Sequence, residues 1–134
     1  MLNPEVSGKL YFFLLNKKGY EMEKTDEALA KTAAEALDAK KADNVRIYDV
    51  RGISDVTDWT VVATGTSAPH LKALIREAEG ALSNEGAERL RVSGEPDSGW
   101  VVLDAITVIV HVFSEEARTY YDIEKLWTKK AEDA

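Results

Sequence analysis

The sequence predicts one α/β domain, a mixed β-sheet of about five strands flanked by helices. Three observations predict it. Stretches around 29–37 and 71–82 carry apolar residues at helical spacing. Stretches 59–63 and 100–113 are dense in β-branched and aromatic residues. Turn-forming residues separate these stretches, giving the order helix, strand, strand, helix, strand, hairpin, helix. A length of 134 residues favours a single domain. A chain of this size buries roughly two-thirds of its unfolded surface, enough for a core without staples.

The first helix begins at Thr25 or Asp26. Thr25 supplies a cap, and Asp26 and Glu27 place acids at the positive helix end. Leu29, Ala33, Ala36 and Leu37 form its apolar stripe, and Asp43-Asn44 closes the segment. Residues 45–50 alternate, Val45, Ile47 and Asp49 against Arg46, Tyr48 and Val50, and predict a strand that ends at Arg51-Gly52. Residues 59–63 predict the second strand, ended by Thr64-Gly65-Thr66-Ser67. Ser67 or Thr66 caps the second helix, with Pro69 in the first turn where its missing N–H costs little. Leu71, Leu74, Ile75, Ala78 and Leu82 mark its buried face, and Asn84 and Gly86 its end.

Leu90 and Val92 predict a short strand, followed by a loop over 94–99. The run 100–113 is too long for one ordinary strand. It is read as a hairpin split near Asp104-Ala105, although no Gly or Asn marks the turn. Ser114-Glu115-Glu116 opens a last helix reaching about Thr128. The domain thus spans 24–128, with a C-terminal tail at 129–134. Residues 1–23 form an N-terminal extension with two readings open: translation starting at Met22, or an additional strand or arm. The apolar run Leu10 to Leu15 is followed by Asn16-Lys17-Lys18 instead of a small-residue cleavage site, which argues against export.

The chain contains no cysteine, which excludes disulfides, thiolate zinc sites and a cysteine nucleophile. That composition fits a reducing cytoplasm. No segment reaches the ~18 apolar residues needed to span a bilayer. Net charge is −7 and the isoelectric point about 4.9. Nucleic-acid binding draws on Lys and Arg to displace counterions from phosphates, so it is the weaker reading. A basic protein partner suits an acidic surface better.

Motifs for catalysis are weak. His70 and His111 have no ligand spacing, and a hydrogen-bonded or surface role fits each better than metal ligation. Thr64-Gly65-Thr66-Ser67 could hold an anion at a helix N-terminus. The phosphate-binding glycine patterns are absent, and a tight turn with a helix cap is the better reading. Asp49 and Asp104 are the strand-borne acids, while Asp55 and Asp58 flank a loop; no DxD-like pair lies on a strand. No GxSxG elbow occurs. We therefore expect a binding protein and not an enzyme, with no catalytic residue, cofactor or metal site. Trp100, at the start of a strand after a polar loop, fits core packing and an interface anchor equally well.

Four runs, read in order, resemble the ribosomal silencing factor (Iojap-like) family. They are Asp49-Val50-Arg51-Gly52-Ile53-Ser54 with Thr57-Asp58, and Ala63-Thr64-Gly65-Thr66-Ser67 with His70 and Lys72-Ala73-Leu74. Then come Gly99-Trp100-Val101-Val102-Leu103-Asp104, and Val110-His111-Val112-Phe113 with Glu116-Ala117-Arg118, Tyr120-Tyr121 and Leu126-Trp127. The resemblance covers about residues 25–128. It implies a nucleotidyltransferase-like fold without the catalytic acids. It implies binding to the large ribosomal subunit through ribosomal protein fourteen, a steric block of subunit joining, and translation repressed under nutrient limitation. It also implies a homodimer in many members. Carried over residue by residue, the partner-binding positions are Trp100, Val102, Leu103 and Asp104. The readings set against it are a nucleotidyltransferase-type enzyme and a generic dimerising module.

Two departures from the family pattern matter. Ala105-Ile106-Thr107 stands where the family has a Gly-Asp turn, which alters both the turn options and a charge. Ser67-Ala68-Pro69-His70 replaces a Ser-Arg-His type of run and removes a basic side chain.

Overall fold

Helix α1 (Asp26–Ala39) starts where local chemistry places it: the Thr25 hydroxyl accepts the Ala28 N–H at 3.1 Å, and Asp26 and Glu27 sit at the positive end. The computed structural model describes residues 25–128, so the N-terminal extension and the C-terminal tail lie outside the described residues. The helix does not run on to Asp43-Asn44. Lys40 caps it, Lys41 turns left-handed at φ 65°, and the Ala42 N–H returns to the Leu37 carbonyl at 3.0 Å. The early stop releases Asp43 to begin strand β1 (Asp43–Asp49), whose first residues form a bulge with Asn44 at φ 51°.

Strand β2 (Trp59–Thr64) is buried along its whole length. Helix α2 (Ala68–Asn84) is capped by Ser67, whose hydroxyl accepts the His70 N–H. Strand β3 (Arg91–Glu95) continues through Gly94, beyond the end expected from the sequence. Gly94 has φ +90°, and a Cβ there would lie 2.4 Å from the Trp100 carbonyl oxygen. Only glycine permits that approach of two strands, and it read in the sequence as a loop signal. A 3-10 turn (Pro96–Ser98) leads to β4 (Trp100–Asp104), which forms the expected hairpin with β5 (Val108–Phe113).

The sheet order is β1-β2-β5-β4-β3. β2 and β5 are parallel, and the other neighbours are antiparallel. Helices α1 and α2 pack on one face. There Leu37, Leu71, Leu74 and Leu82 meet Val61, Leu103, Val110 and Val112 in the main core. Each such side chain contributes roughly 1.5–3 kcal/mol by leaving water. The other face carries a smaller cluster of Val62, Phe113 and Ala117, with Tyr48, Trp100, Ile123 and Trp127 packed against it.

The last helix, α3 (Glu115–Tyr121), is shorter than expected. Asp122 turns left-handed (φ 47°, ψ 46°), and helical turns resume only at Lys125. Aspartate tolerates that conformation better than most residues. The break folds the following segment back over the smaller cluster, which a continuous helix would leave behind. Among the described residues no helix is long and apolar enough to cross a membrane.

Candidate functional site

The alternation of β4 sorts the four expected partner-binding residues onto two faces. Trp100, Val102 and Asp104 are partly exposed, while Val101 and Leu103 are buried. Leu103 has 0% exposure and belongs to the main core under the helices. It therefore backs the strand, and only the other three reach the second face. The register sets Phe113 opposite Trp100, His111 opposite Val102 and Ile109 opposite Asp104.

Trp100 is bracketed by aromatic rings. Its indole stacks on Phe113 with centroids 5.0 Å apart and tilts against Tyr121 at 4.7 Å. Its Nε1–H donates to His111 Nδ1 at 3.2 Å. An imidazole that accepts at Nδ1 carries its proton on Nε2 and is neutral. Burial favours the same state, lowering the His111 pKa from 6.5 to about 4, with a small opposing pull from Glu124. His111 thus faces away from Val110 and Val112, which are buried in the main core, as its alternation predicted. Tyr120, beside Tyr121, is 81% exposed and extends the aromatic strip into solvent.

A polar lock holds the returning C-terminal segment. Arg118 donates to Glu124 at 2.7 and 3.1 Å, to the Asn44 carbonyl at 2.8 Å and to the Thr64 hydroxyl at 2.9 Å. The Tyr48 hydroxyl donates to the same Glu124 carboxylate. Burial alone would raise the Glu124 pKa, but the hydrogen bonds from Arg118 and Tyr48 outweigh it and hold the carboxyl below its ordinary range. Burial, and then the bond to Glu124, pushes the Tyr48 phenol above its usual range. Trp127 packs beyond this lock, 5.6 Å from Tyr48 and 6.2 Å from His111. Sequence reasoning missed the lock because Arg118 and Glu124, six positions apart, share no helical face; only the turn at Asp122 brings them together.

The strand-borne acids also hold local structure. Asp104 Oδ1 accepts the Ile106 N–H at 2.8 Å and so caps the hairpin turn. Ile106 itself sits at φ 70°. Asp49 is gripped by Arg51 at 2.7 and 2.9 Å, which holds its carboxyl below the usual range, and Arg51 lies over the Trp59 ring at 4.9 Å. Strands β2 and β5 separate Asp49 from Asp104, which sets them roughly 14 Å apart at ordinary strand spacing. They do not form a paired-acid site. Among the described residues no group of three or more His, Asp or Glu gathers in a way that could hold a metal ion.

The Thr64–Ser67 turn is closed from within. The Thr66 N–H, a candidate anion donor, donates to His70 Nδ1 at 3.0 Å. Nε2 of the same ring donates to the Lys40 carbonyl at 2.8 Å, tying the start of α2 to the end of α1. The tight-turn reading is the one the geometry supports.

Comparisons with known proteins point one way. A family model described as "Ribosomal silencing factor during starvation" matches residues 23–134. The chain is 35% identical over 101 residues to the ribosomal silencing factor RsfS of Bacillus subtilis (strain 168), covering 75% of this chain and 86% of that protein. It is 29% identical over 80 residues to a Mus musculus protein named "Mitochondrial assembly of ribosomal large subunit protein 1", covering 58% of this chain and 35% of that one. A crystal structure of a Chromobacterium violaceum protein matches with a TM-score of 0.74 at 33% identity, covering 78% of this chain and 87% of that chain.

Proposed function

This chain belongs to the ribosomal silencing factor family and acts in ribosome-associated repression of translation, and we propose that it does so by binding the large ribosomal subunit through ribosomal protein fourteen and sterically blocking subunit joining when nutrients are limiting. One observation carries the reading. Trp100 and Val102 form an apolar ridge on the second face of the sheet, beside the Asp104 carboxylate, in a chain of net charge −7. An aromatic anchor with an acid next to it is suited to a basic ribosomal protein. The acid contributes orientation and association rate more than affinity. Leu103 supports the ridge from the core side. The name of the mouse relative also refers to the large ribosomal subunit. Action in the cytoplasm, by a protein able to form a homodimer, is part of the same proposal.

Sucrose-gradient sedimentation tests it. Purified protein is added to separated ribosomal subunits at low magnesium, and magnesium is then raised. Co-migration with the large subunit and fewer joined ribosomes are expected. Failure to enter the large-subunit fraction at saturating protein would refute the proposal.

A further inference from the structure

We propose that His111 is a positioning residue that holds the Trp100 indole in its partner-ready orientation, an inference that rests on Trp100 being the anchor described above. A buried or half-buried indole N–H must find an acceptor. Here the acceptor belongs to the chain itself: His111 Nδ1, 3.2 Å away on the neighbouring strand. The two residues are diagonal neighbours, since Trp100 stands opposite Phe113 and Val102 opposite His111. The indole therefore leans along the strand and lies across Phe113, which is completely buried and cannot shift aside.

His111 is itself fixed. Its ring is nearly parallel to that of Phe113, with centroids 6.1 Å apart, and Trp127 lies 6.2 Å away on the segment held by Glu124 and Arg118. Phe113, stacked on the indole, and Tyr121, tilted against it, make apolar ring contacts that would accept it flipped as readily. Among the described residues His111 alone reads its polar edge, so His111 distinguishes the two orientations. A flip would strand the N–H and leave Nδ1 without a donor in a largely desolvated site. Anchoring residues held in place before binding avoid the ordering cost of an immobilised side chain, about threefold to tenfold in affinity.

The test uses the full chain with His111→Phe, which keeps a ring but removes the acceptor, and His111→Asn, whose amide oxygen can stand near the Nδ1 position. Trp100→Phe assigns the Trp100 indole N–H resonance by its disappearance. In free protein, His111→Phe is expected to move that resonance and accelerate its exchange with water, and His111→Asn to restore both. His111→Phe is expected to weaken large-subunit binding by about threefold to tenfold, with recovery in His111→Asn and no further loss when added to Trp100→Phe. An indole resonance unchanged in His111→Phe overturns the proposal. So does an equal loss of affinity on adding His111→Phe to Trp100→Phe. Absence of wild-type binding to the subunit would instead refute the functional reading, while the indole resonance still decides whether His111 holds Trp100.

Discussion

Arg118 and Glu124 meet across a left-handed residue: the guanidinium donates two hydrogen bonds, at 2.7 and 3.1 Å, to a carboxylate on the far side of Asp122. Tyr48, from β1, donates to the same carboxylate. Glu124→Ala leaves both donors without their shared acceptor. We expect a loss of about 2–3 kcal/mol in unfolding free energy, below the cost for a fully buried pair because Glu124 keeps some solvent contact. Urea denaturation measures it. A loss under about 0.5 kcal/mol, the range of exposed pairs, would mean that water already screens this pair.

His111 makes stability depend on pH. Its folded pKa of about 4 lies below the ordinary 6.5. As pH falls through that window the unfolded chain takes up a proton that the folded chain refuses, so stability falls with it. The drop approaches about 3 kcal/mol once pH reaches 4. From about pH 8 upward the ring is neutral in both states and contributes no slope. Glu124 and Asp49, whose folded pKa values are lowered, add their losses as pH falls below the ordinary values of 4.5 and 3.8, where the unfolded chain takes up protons first. Chemical denaturation at a series of pH values checks the sign, and His111→Asn should flatten the slope between 6.5 and 4.

Ile106 occupies a left-handed position at φ 70° while half exposed. A β-branched residue there costs about 1–2 kcal/mol of backbone strain. Ile106→Gly relieves it, gives up the buried half of the side chain, and returns part of the gain as unfolded-chain entropy. A small net stabilisation, under about 0.5 kcal/mol, is expected, measured as a raised urea midpoint. A lowered midpoint would show that the isoleucine side chain holds the turn.

Trp100→Ala should weaken large-subunit binding by about 2 kcal/mol or more. That variant also strips a ring from Phe113 and Tyr121, so Val102→Lys supplies an independent probe of the same ridge. A lysine at this partly exposed position leaves the aromatic stack in place and sets positive charge against a basic partner. Wild-type affinity in both folded variants, read by co-sedimentation, would remove this face as the binding site.

The order of elements was legible because each carries its own period and punctuation. Ser67 caps α2 as expected, and the split of 100–113 into a hairpin needed only strand-length reasoning. The boundaries were less legible. Gly94 reads locally as a loop signal but lies within a strand, because a neighbouring carbonyl leaves room for nothing larger. Asp122 carries no clear stop signal for α3, yet ends it. For the site, period-two alternation already sets Leu103 on the opposite face from Trp100, Val102 and Asp104, a distinction that the family resemblance passes over.

The sequence by itself determined the order and kind of the helices and strands, which side chains share a face within one strand, and the family to which the chain belongs. Beyond the β4–β5 hairpin, tertiary structure alone decided which strands are neighbours. β5 lies between β2 and β4, so His111 comes under Trp100 while Asp49 and Asp104 stay apart. The physical reason is range. Helix and strand periods arise from contacts within a few residues, and composition reports them directly. Strand pairing and the return of Glu124 to Tyr48, 76 positions away, arise from burying surfaces against each other, a choice that no local pattern encodes.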